Sequence, residues 1–431
     1  MDVPGSSIDH PRVFTVHFKL SLIIAIGFIL RLACGLALPV SADWLARLPD
    51  QTEYLQLGES LRQHRTLELF DQRFDDMVRA YRTPGYPAVV ALCGGSVRAI
   101  RIVQALLDAW MILGIYLLGS RFISTGGGLI AAGIVAINPF SIYFSALMLS
   151  EGIYTAMVVW GMVALAGGKQ FTRGRFLLGG LILALAILLR PSGLMLPVLL
   201  AVGAAWLGRG ARARPWRLPI VATTLILIGL VLCPWAYRNY RILGAWVWMT
   251  SNGGITLYDG FNPDADGSSN QRFVGEMPFL RRGGSPQMDE VQRSEYLGAR
   301  AAEWMRQHPA ESCKLAIIKI ARTWSPIPLS AEYGSQAKYV LVGLLYTLPF
   351  DVLIVLGLFS DRLTRPAKVF LLLPALYFTG VHALSVGSLR YRLPAEPPMA
   401  IVAAAGISSL AADRKWRRAL VMASDDAHQP S

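Results

Sequence analysis

Charged residues are scarce in this sequence, since only 16% of its 431 residues are Asp, Glu, Lys or Arg. A soluble domain carries about 25%. Apolar residues make up 54% of the chain, and the mean hydropathy is +0.44. They cluster in runs close to the length that crosses a hydrocarbon core of about 30 Å. The lack of charge excludes an ordinary soluble domain, and the runs predict a multi-span membrane protein.

Cysteine is also sparse. The four cysteines contain no C-x-x-C pair, which excludes a disulfide framework and a cysteine-based metal site. The net charge of +13 does not indicate a nucleic-acid partner. The basic residues fall mainly in short gaps between apolar runs, where membrane topology places them. Zinc-finger spacing and a free basic helix are both missing.

Ten apolar segments predict an all-α polytopic membrane protein with about ten transmembrane helices. The first is interpreted as a retained anchor rather than a cleaved signal peptide, because it is long for a signal-peptide core. No internal repeat is visible along the chain. The segments are 18–38, 100–118, 127–144, 151–166, 176–189, 193–207, 218–237, 339–359, 369–386 and 394–411.

Orientation follows from the basic residues of the short loops, because retained positive charge marks the cytoplasmic side. Alternate loops carry the arginines and lysines, so both termini are predicted to be cytoplasmic. The whole chain, 1–431, is then one integral-membrane domain with a cytoplasmic tail at 419–431 and long extracytoplasmic loops at 39–98 and 238–337. The basic clusters lie at 169–175, 209–217, 362–368 and 414–418.

Both long loops contain patterns of short amphipathic helices. In the first loop, apolar residues recur at helical spacing from Tyr54. In the second, 288–309 predicts an amphipathic helix that ends at Pro309. Between them, 262–270 has the Gly, Pro, Asn and Asp content of tight turns.

Three acids are candidate catalytic groups on the extracytoplasmic side. Asp50 and Glu53 open the amphipathic run of the first loop, and Glu151 begins the fourth apolar segment. Asp50 has a simpler alternative as a helix N-cap, and Glu151 as an acid favourably placed in a first helical turn. Two carboxylates presented to one cavity by separate elements suit the deprotonation and orientation of an acceptor.

Arginines at the extracytoplasmic ends of spans run against the topological bias. Snorkelling to lipid headgroups is the alternative for any one of them. As a group they suit a phosphate, because the guanidinium fork matches its oxygens. The candidates are Arg82, Arg238, Arg390 and Arg392.

The stretch "RAYRTPGYP" holds Arg82 beside Tyr81 and Tyr86, with Tyr54 in the preceding helix as a further substrate-binding candidate. Its prolines and glycine predict a turn back into the membrane. A phosphate site beside carboxylates at a membrane predicts transfer from a lipid-linked phosphate donor. The arginines would stabilise charge on the leaving phosphate, and a carboxylate would accept the acceptor's proton.

These residues resemble the multi-span GT-C glycosyltransferases, the group of protein O-mannosyltransferases and lipid A aminoarabinose transferases. The matching elements are "PDQTEYLQLGESL", "YRTPGYP", "NPFSIYFSALMLSEGIYTAM", "LLRPSG", "PWAYRNYRILGAWVWMTSNGGITLYDGFNP" and "RYRLPAEPPMAIVAAAG". The resemblance implies a polyprenyl-phosphate sugar donor, an acceptor hydroxyl or amine outside the cytoplasm, and inversion at the anomeric carbon. It also implies Asp50 as catalytic base and Glu151 as the second acid, in a bacterial inner-membrane enzyme.

The chain departs from the family in two places. Asp264 and Asp266 form a D-x-D, which in metal-dependent relatives could bind a cation. Because they lie in a turn-rich stretch, we expect a plain loop, no essential metal and no cofactor. The second loop lacks a large soluble domain, which favours transfer of a single sugar. Glu53 competes with Asp50 for the base role and ranks second.

Three further residues are left outside the predicted site. Arg31 lies within the first span, His382 on a later span, and Arg190 in "LLRPSG" at an expected chain reversal. Two other functions stay open. One is a transporter or flippase of a lipid-linked substrate, although such proteins often show pseudo-symmetric halves. The other is a non-catalytic subunit of an envelope polysaccharide system.

Overall fold

The structure is a computed structural model, and it describes residues 10–166, 172–207, 217–282, 287–329 and 331–426. Part of the basic residue pattern that predicts the topology, namely Lys169, Arg209, Arg212 and Arg214, lies outside these ranges. The predicted tail 419–431 is described only in part, since the last helix continues to Asp426.

Helices dominate the described chain. The first ten are α1 (His10–Ala37), α2 (Ala42–Leu45), α3 (Pro49–His64), α4 (Gly85–Leu92), α5 (Val97–Phe122), α6 (Thr125–Ala136), α7 (Pro139–Phe144), α8 (Glu151–Ala166), α9 (Arg173–Ile187) and α10 (Leu196–Leu207). The others are α11 (Arg217–Leu243), α12 (Gly253–Gly260), α13 (Phe273–Glu276), α14 (Glu290–Gln307), α15 (Pro309–Thr323), α16 (Ala331–Gly334), α17 (Ala337–Phe359), α18 (Arg365–Ala383) and α19 (Glu396–Asp426).

Among the described residues, five helices are long and apolar enough to cross a membrane: Phe14–Ala37, Val97–Phe122, Pro219–Leu243, Ala337–Phe359 and Arg365–Ala383. Four shorter apolar helices accompany them, at Thr125–Ala136, Glu151–Ala166, Pro191–Leu207 and Glu396–Ala411. The chain is therefore a multi-pass membrane protein. The count of about ten transmembrane helices stays a prediction.

Two local features differ from the sequence-based expectation. The segment 127–144 is not one helix, because Asn138 accepts hydrogen bonds from the backbone N–H groups of Phe140 and Ser141 and so begins a new helix at Pro139. The fold is also not purely helical. A hairpin of two short antiparallel strands, β1 (Leu69–Asp71) and β2 (Asp76–Val78), lies in the first long loop.

Buried ion pairs connect the apolar helices. Arg31 of α1 is 1% exposed and donates from Nε to Asp108 of α5 at 2.7 Å. Arg392 donates to Glu396 at the start of α19 at 2.6 Å. Charged groups in such surroundings are costly unless paired and hydrogen-bonded. The first pair joins α1 to α5. The second is local, and α19 is joined to its neighbours because Arg392 also donates to Thr347 of α17 and Glu396 accepts from Asn138.

The two long loops pack on each other through Glu290, the first residue of α14. Its carboxylate accepts hydrogen bonds from the backbone N–H groups of Arg79 and Ala80 and from the Ser251 hydroxyl. Ser251 N–H also donates to Ala80 O at 2.8 Å. The segment around Arg82 is thereby held by the second loop, which fixes its position above the apolar helices.

Candidate active site

Glu151 is positioned by the non-helical segment 145–150 that precedes it. This segment is buried, so its backbone groups need partners. Gln104 donates to the carbonyls of Ser145 and Leu147, and Arg101 donates to that of Ala146. The polar side chains of α5 therefore replace helical hydrogen bonds here, and they fix where α8 and its first residue begin.

Asp50 is carried by α3, which is tied to the same segment. Gln51 accepts a hydrogen bond from Met148 N–H at 3.0 Å and donates to Leu45 O. The cap position of α3 is Leu48, and Asp50 lies inside the first turn after Pro49. The N-cap alternative for Asp50 is therefore incorrect, and its carboxylate points instead to two arginines.

Two turns meet beside Glu151 because each contains a glycine. Gly85 N–H donates to Leu188 O at 2.9 Å, and a Cβ at Gly85 would lie 2.6 Å from that oxygen. Gly193 packs against Tyr154 of α8, where a Cβ would lie 2.1 Å from the hydroxyl oxygen. The "RTPGYP" turn thus rests on the chain that enters "LLRPSG". This contact brings the elements that carry Arg82 and Arg190 together.

The carboxylate of Asp50 lies between two guanidinium groups. Its Oδ1 accepts from Arg82 Nη2 at 2.5 Å, and its Oδ2 accepts from Arg390 Nη1 at 2.6 Å. Arg390 also reaches Glu151, with 3.7 Å between Nε and Oε1. One guanidinium therefore bridges the two acids that the sequence assigns to catalysis, although these acids are 101 positions apart in the chain.

The network extends on both sides of this bridge. Glu53 accepts from Arg82 and from Arg73, the latter at 3.2 Å. At the other end, Arg190 Nη1 lies 2.8 Å from Glu151 Oε1. The order of contacts is Arg73, Glu53, Arg82, Asp50, Arg390, Glu151, Arg190, and positive and negative groups alternate along it.

The arginines change the acidity of this site. Burial by itself raises the pKa of Asp50, but Arg82 and Arg390 outweigh it and hold that pKa well below its ordinary range. Burial lowers the pKa of Arg390, yet Tyr391, Asp50 and Glu151 raise it well above the ordinary value. Asp50 is therefore ionised and Arg390 charged throughout the physiological range.

The predicted tyrosines have different surroundings. Arg82 lies over the rings of Tyr54 and Tyr81, with 5.3 Å from Cζ to each centroid. Burial and then Glu53 raise the pKa of Tyr81 to about 12, so its hydroxyl stays protonated. Tyr86 is fully buried and donates to Gln104 at 2.6 Å. Tyr54 and Tyr81 thus border the network, whereas the Tyr86 hydroxyl is hydrogen-bonded to Gln104 of α5.

Two predicted phosphate ligands contact other groups. Arg392 is 2% exposed, and besides Glu396 it donates to Ser325 O and Thr347. Arg238 donates to the carbonyl of Arg79 and stacks on Trp235 at 5.0 Å. Among the described residues, neither guanidinium contacts Asp50, Glu53 or Glu151.

Sequence reasoning missed Arg190 and Arg73 as members of this network. Arg190 has the same signal as Arg82 and Arg390, an arginine at the predicted extracytoplasmic end of a span, but its neighbouring proline and glycine favour a simple chain reversal. Its side chain instead pairs with Glu151 and lies 5.1 Å from the Tyr391 ring. Arg73 sits in the unpredicted hairpin, so no pattern marked it.

Metal ligands are not clustered in the described ranges, where no group of three or more His, Cys, Asp or Glu side chains is arranged to hold an ion. Asp264 and Asp266 lie in a loop, and Asp266 accepts hydrogen bonds from Ser268. The side chains brought together at the site are carboxylates, which can accept protons, and guanidinium groups, which can bind anions.

Comparisons with known proteins show similarity to membrane glycosyltransferases. The family model for dolichyl-phosphate-mannose-protein mannosyltransferases matches residues 87–237. This range includes Glu151 and Arg190, and it covers less than half of the chain. A search of curated protein sequences found no match.

Solved structures match along most of the chain. The oligosaccharyltransferase AglB of Archaeoglobus fulgidus, with an inhibitory peptide and a dolichol-phosphate, gives a TM-score of 0.56 at 14% identity, covering 96% of this chain and 52% of that one. The same enzyme tethered to an acceptor peptide with the NVT sequon gives 0.57 at 15% identity, covering 94% and 51%.

A third structure is ArnT from Cupriavidus metallidurans bound to undecaprenyl phosphate, with a TM-score of 0.38, 13% identity and coverage of 90% and 77%. This chain spans about half the length of the AglB structures it matches. It is similar to the GT-C membrane glycosyltransferases, in sequence over residues 87–237 and in fold over most of its length.

Proposed function

We propose that this protein is an inverting GT-C glycosyltransferase. It moves a single sugar from a polyprenyl-phosphate donor to a hydroxyl or amine of an extracytoplasmic glycan, lipid or protein in the bacterial inner membrane. The observation that carries the proposal is the position of Arg390, which contacts both Asp50 and Glu151. The AglB structure of this fold contains a dolichol-phosphate, which is the same class of lipid carrier.

The donor phosphate binds at Arg82, Arg390 and Arg190 in this proposal. These three guanidinium groups come from three separate turns and converge on Asp50 and Glu151. Planar forks suit phosphate oxygens. Arg238 and Arg392 are not included, because their contacts are with other parts of the fold.

Asp50 acts as the general base and Glu151 orients the reactants. The acceptor oxygen or nitrogen forms a bond to the anomeric carbon, and the bond from that carbon to the phosphate oxygen breaks. The acceptor proton goes to Asp50, and the polyprenyl phosphate leaves with the bonding electrons and is stabilised by the arginines. Asp50 is favoured over Glu53, since the Asp50 side chain is 23% exposed and that of Glu53 11%.

Without donor, Asp50 is a weak base because Arg82 and Arg390 lower its pKa. A bound phosphate offers these guanidinium groups a second anion. Contacts then shift from Asp50 to the phosphate oxygens, and the loss of the lowering interactions raises the pKa of Asp50. Binding of the donor phosphate therefore makes Asp50 a stronger base, which limits proton uptake to the enzyme that has bound its donor.

The test measures the transfer of hexose from undecaprenyl-phosphate hexose to an acceptor by purified protein in liposomes. Asp50→Asn keeps the size of the side chain and removes the base, so the transfer rate should fall by about a hundredfold or more. Asp43→Asn is the matched control, because Asp43 is an exposed acid of the neighbouring helix α2. Unchanged transfer by Asp50→Asn would overturn the base assignment.

The same liposomes separate the enzyme from the transporter alternative. A glycosyltransferase yields a covalent sugar product on the acceptor and releases undecaprenyl phosphate. A flippase moves the labelled lipid to the other leaflet and leaves it intact. Movement of intact lipid without any product would contradict the proposal.

A further inference from the structure

A small pocket lies next to the candidate site and shares Glu151 with it. Its walls are formed by α5, α7, α8 and the start of the segment after Arg392. Its lining includes Asp108, Ser141, Phe144, Glu151, Thr155 and Leu393. It is therefore an extension of the site that shares Glu151 and has its walls in the helical layer.

The pocket presents hydrogen-bond acceptors rather than cations. Asp108 is 2% exposed, and its Oδ2 accepts from Arg31 and from the Ser141 hydroxyl. Among the described residues, no group donates a hydrogen bond to Asp108 Oδ1. This oxygen lies 3.9 Å from where a Cβ on Gly152 would be, so it faces the pocket. A carboxylate oxygen that lies at a pocket and accepts no hydrogen bond there is a position for a ligand hydroxyl.

Arg31, the cation next to the pocket, cannot serve as a partner for an anion. Besides Asp108, Arg31 donates to three backbone carbonyls and to Ser141 Oγ at 3.0–3.1 Å, so its fork is saturated. An anion in this pocket would meet two carboxylates and no free guanidinium. Phosphate binding is thus confined to the arginine side, and the pocket suits groups that donate hydrogen bonds.

We propose that this pocket receives a hydroxyl group of the donor's sugar and selects a sugar that bears no negative charge there. The inference rests on the proposed function. The phosphate then lies at Arg82, Arg190 and Arg390, while one ring hydroxyl reaches past Glu151 towards Asp108. The pocket volume of about 10 Å³ is enough for one such group, and Phe144 and Leu393 line it with apolar surface.

Gly152 allows the pocket to be filled without disturbing its walls. A Cβ there would have Asp108 Oδ1 and Ser145 Cα as its nearest neighbours, both at 3.9 Å, which is ordinary contact. Gly152→Ala therefore occupies the pocket and leaves the fold intact. Asp108→Asn is unsuitable, because it would leave Arg31 buried without its anion.

The experiment measures the binding of three undecaprenyl phosphodiesters to purified protein in nanodiscs. They carry a neutral hexose, a hexuronic acid or only a methyl group. With wild type, the hexose lipid should bind about tenfold tighter than the methyl lipid, as one hydrogen bond to a charged group allows. The hexuronate lipid should bind no tighter than the methyl lipid.

In Gly152→Ala the preference for hexose over methyl should disappear, while affinity for the methyl lipid stays the same. Thr155→Val, which removes a lining hydroxyl at nearly constant shape, should reduce the preference. Gly133→Ala is the control, since a Cβ at Gly133 meets nothing within 4 Å. Equal binding of hexose and hexuronate lipids, or an unchanged preference in Gly152→Ala, overturns the sugar pocket alone. Failure of all three lipids to bind overturns the proposed function and the pocket with it.

Discussion

Asp50 owes its properties to the arginines on either side of it. Arg82 and Arg390 each occupy one oxygen of its carboxylate, and together they outweigh the effect of burial on its pKa. An isolated aspartate at a membrane surface would titrate in its ordinary range. The arrangement keeps Asp50 ionised under acidic conditions and ties its basicity to whatever else binds the two arginines.

Replacing Arg390 should change both the rate and its pH dependence. Arg390→Ala removes one cation that lowers the pKa of Asp50, so this pKa should rise towards 3.8, the value for an unperturbed aspartate. Since the depressed pKa keeps the base ionised at low pH, the acid limb of kcat/KM should move to higher pH. The rate itself should fall by about a hundredfold from lost stabilisation of the leaving phosphate.

The measurement is transfer from undecaprenyl-phosphate hexose at a series of pH values. Arg62→Ala is the control, because Arg62 is an exposed arginine that pairs with Glu59 of the same helix, α3. An acid limb at the same pH in Arg390→Ala and wild type would contradict the link between Arg390 and the ionisation of Asp50.

Lys319 of α15 is buried, and its Nζ has no hydrogen-bond partner within the described part of the chain. This nitrogen lies 3.2 Å from the centre of the Phe261 ring. Burial lowers its pKa to about 7, although Asp259 opposes the shift. Between pH 7 and the ordinary value of 10.5 the unfolded chain binds more protons at this site. The free energy of unfolding should therefore rise with pH across that window. The destabilisation caused by the buried amine of Lys319 is largest below pH 7.

Lys319→Met keeps the length of the side chain and removes the amine. It should raise the thermal midpoint at pH 7 and below, and it should abolish this part of the pH dependence. The free energy of unfolding should increase by at least about 1 kcal/mol at pH 6. Lys314→Met, at an exposed position of the same helix, is the control. A lower midpoint in Lys319→Met at pH 6 would show that the amine is stabilising.

Helices in this chain could be predicted from their apolar runs. Lipid offers no hydrogen-bond partner to the backbone, so an apolar run in a membrane must pair its own N–H and C=O groups, as a helix does. The break between α6 and α7 had a local signal in Asn138–Pro139, but the apolar content on both sides obscured it. The hairpin that carries Arg73 had no such local signal in the sequence. Its strands are three residues each, too short for an alternating pattern to stand out.

The contact between "RTPGYP" and "LLRPSG" makes Gly85 a sensitive position. A Cβ at Gly85 would lie 2.6–2.9 Å from the backbone of Leu188 and Leu189, which cannot move aside as a side chain can. Gly85→Ala should therefore destabilise the protein by about 1–3 kcal/mol. It should also weaken transfer, because Arg82 and Arg190 would separate.

Thermal unfolding and transfer by the Gly85→Ala variant test this contact. Gly229→Ala provides the comparison, as a Cβ on Gly229 meets nothing within 4 Å and alanine favours a helix interior. A Gly85→Ala protein as stable and active as Gly229→Ala would show that the two turns do not need this close approach.

The whole molecule has one face at which both long loops, the 384–395 segment and the network of arginines and acids meet. The positive charge of the short loops predicts that this face is extracytoplasmic. Cys313 tests that side, because it is exposed on α15 in the second long loop.

A variant that keeps Cys313 and carries alanine at the other three cysteines should react with a membrane-impermeant maleimide in intact spheroplasts. The same variant with Cys313→Ser should not react. Labelling of Cys313 only after the membrane is opened would reverse the topology and move the site to the cytoplasmic face.

Composition and the length of the apolar runs are enough to predict a helical membrane protein with two polar loops, because both are properties of the chain alone. They also indicate Asp50, Glu151, Arg82 and Arg390, since acids and arginines at span ends are conspicuous against apolar surroundings. Which of these groups meet depends on the tertiary fold. Arg190 joins Glu151 while Arg392 turns to Glu396, and contacts across more than a hundred residues depend on close approaches such as Gly85 on Leu188.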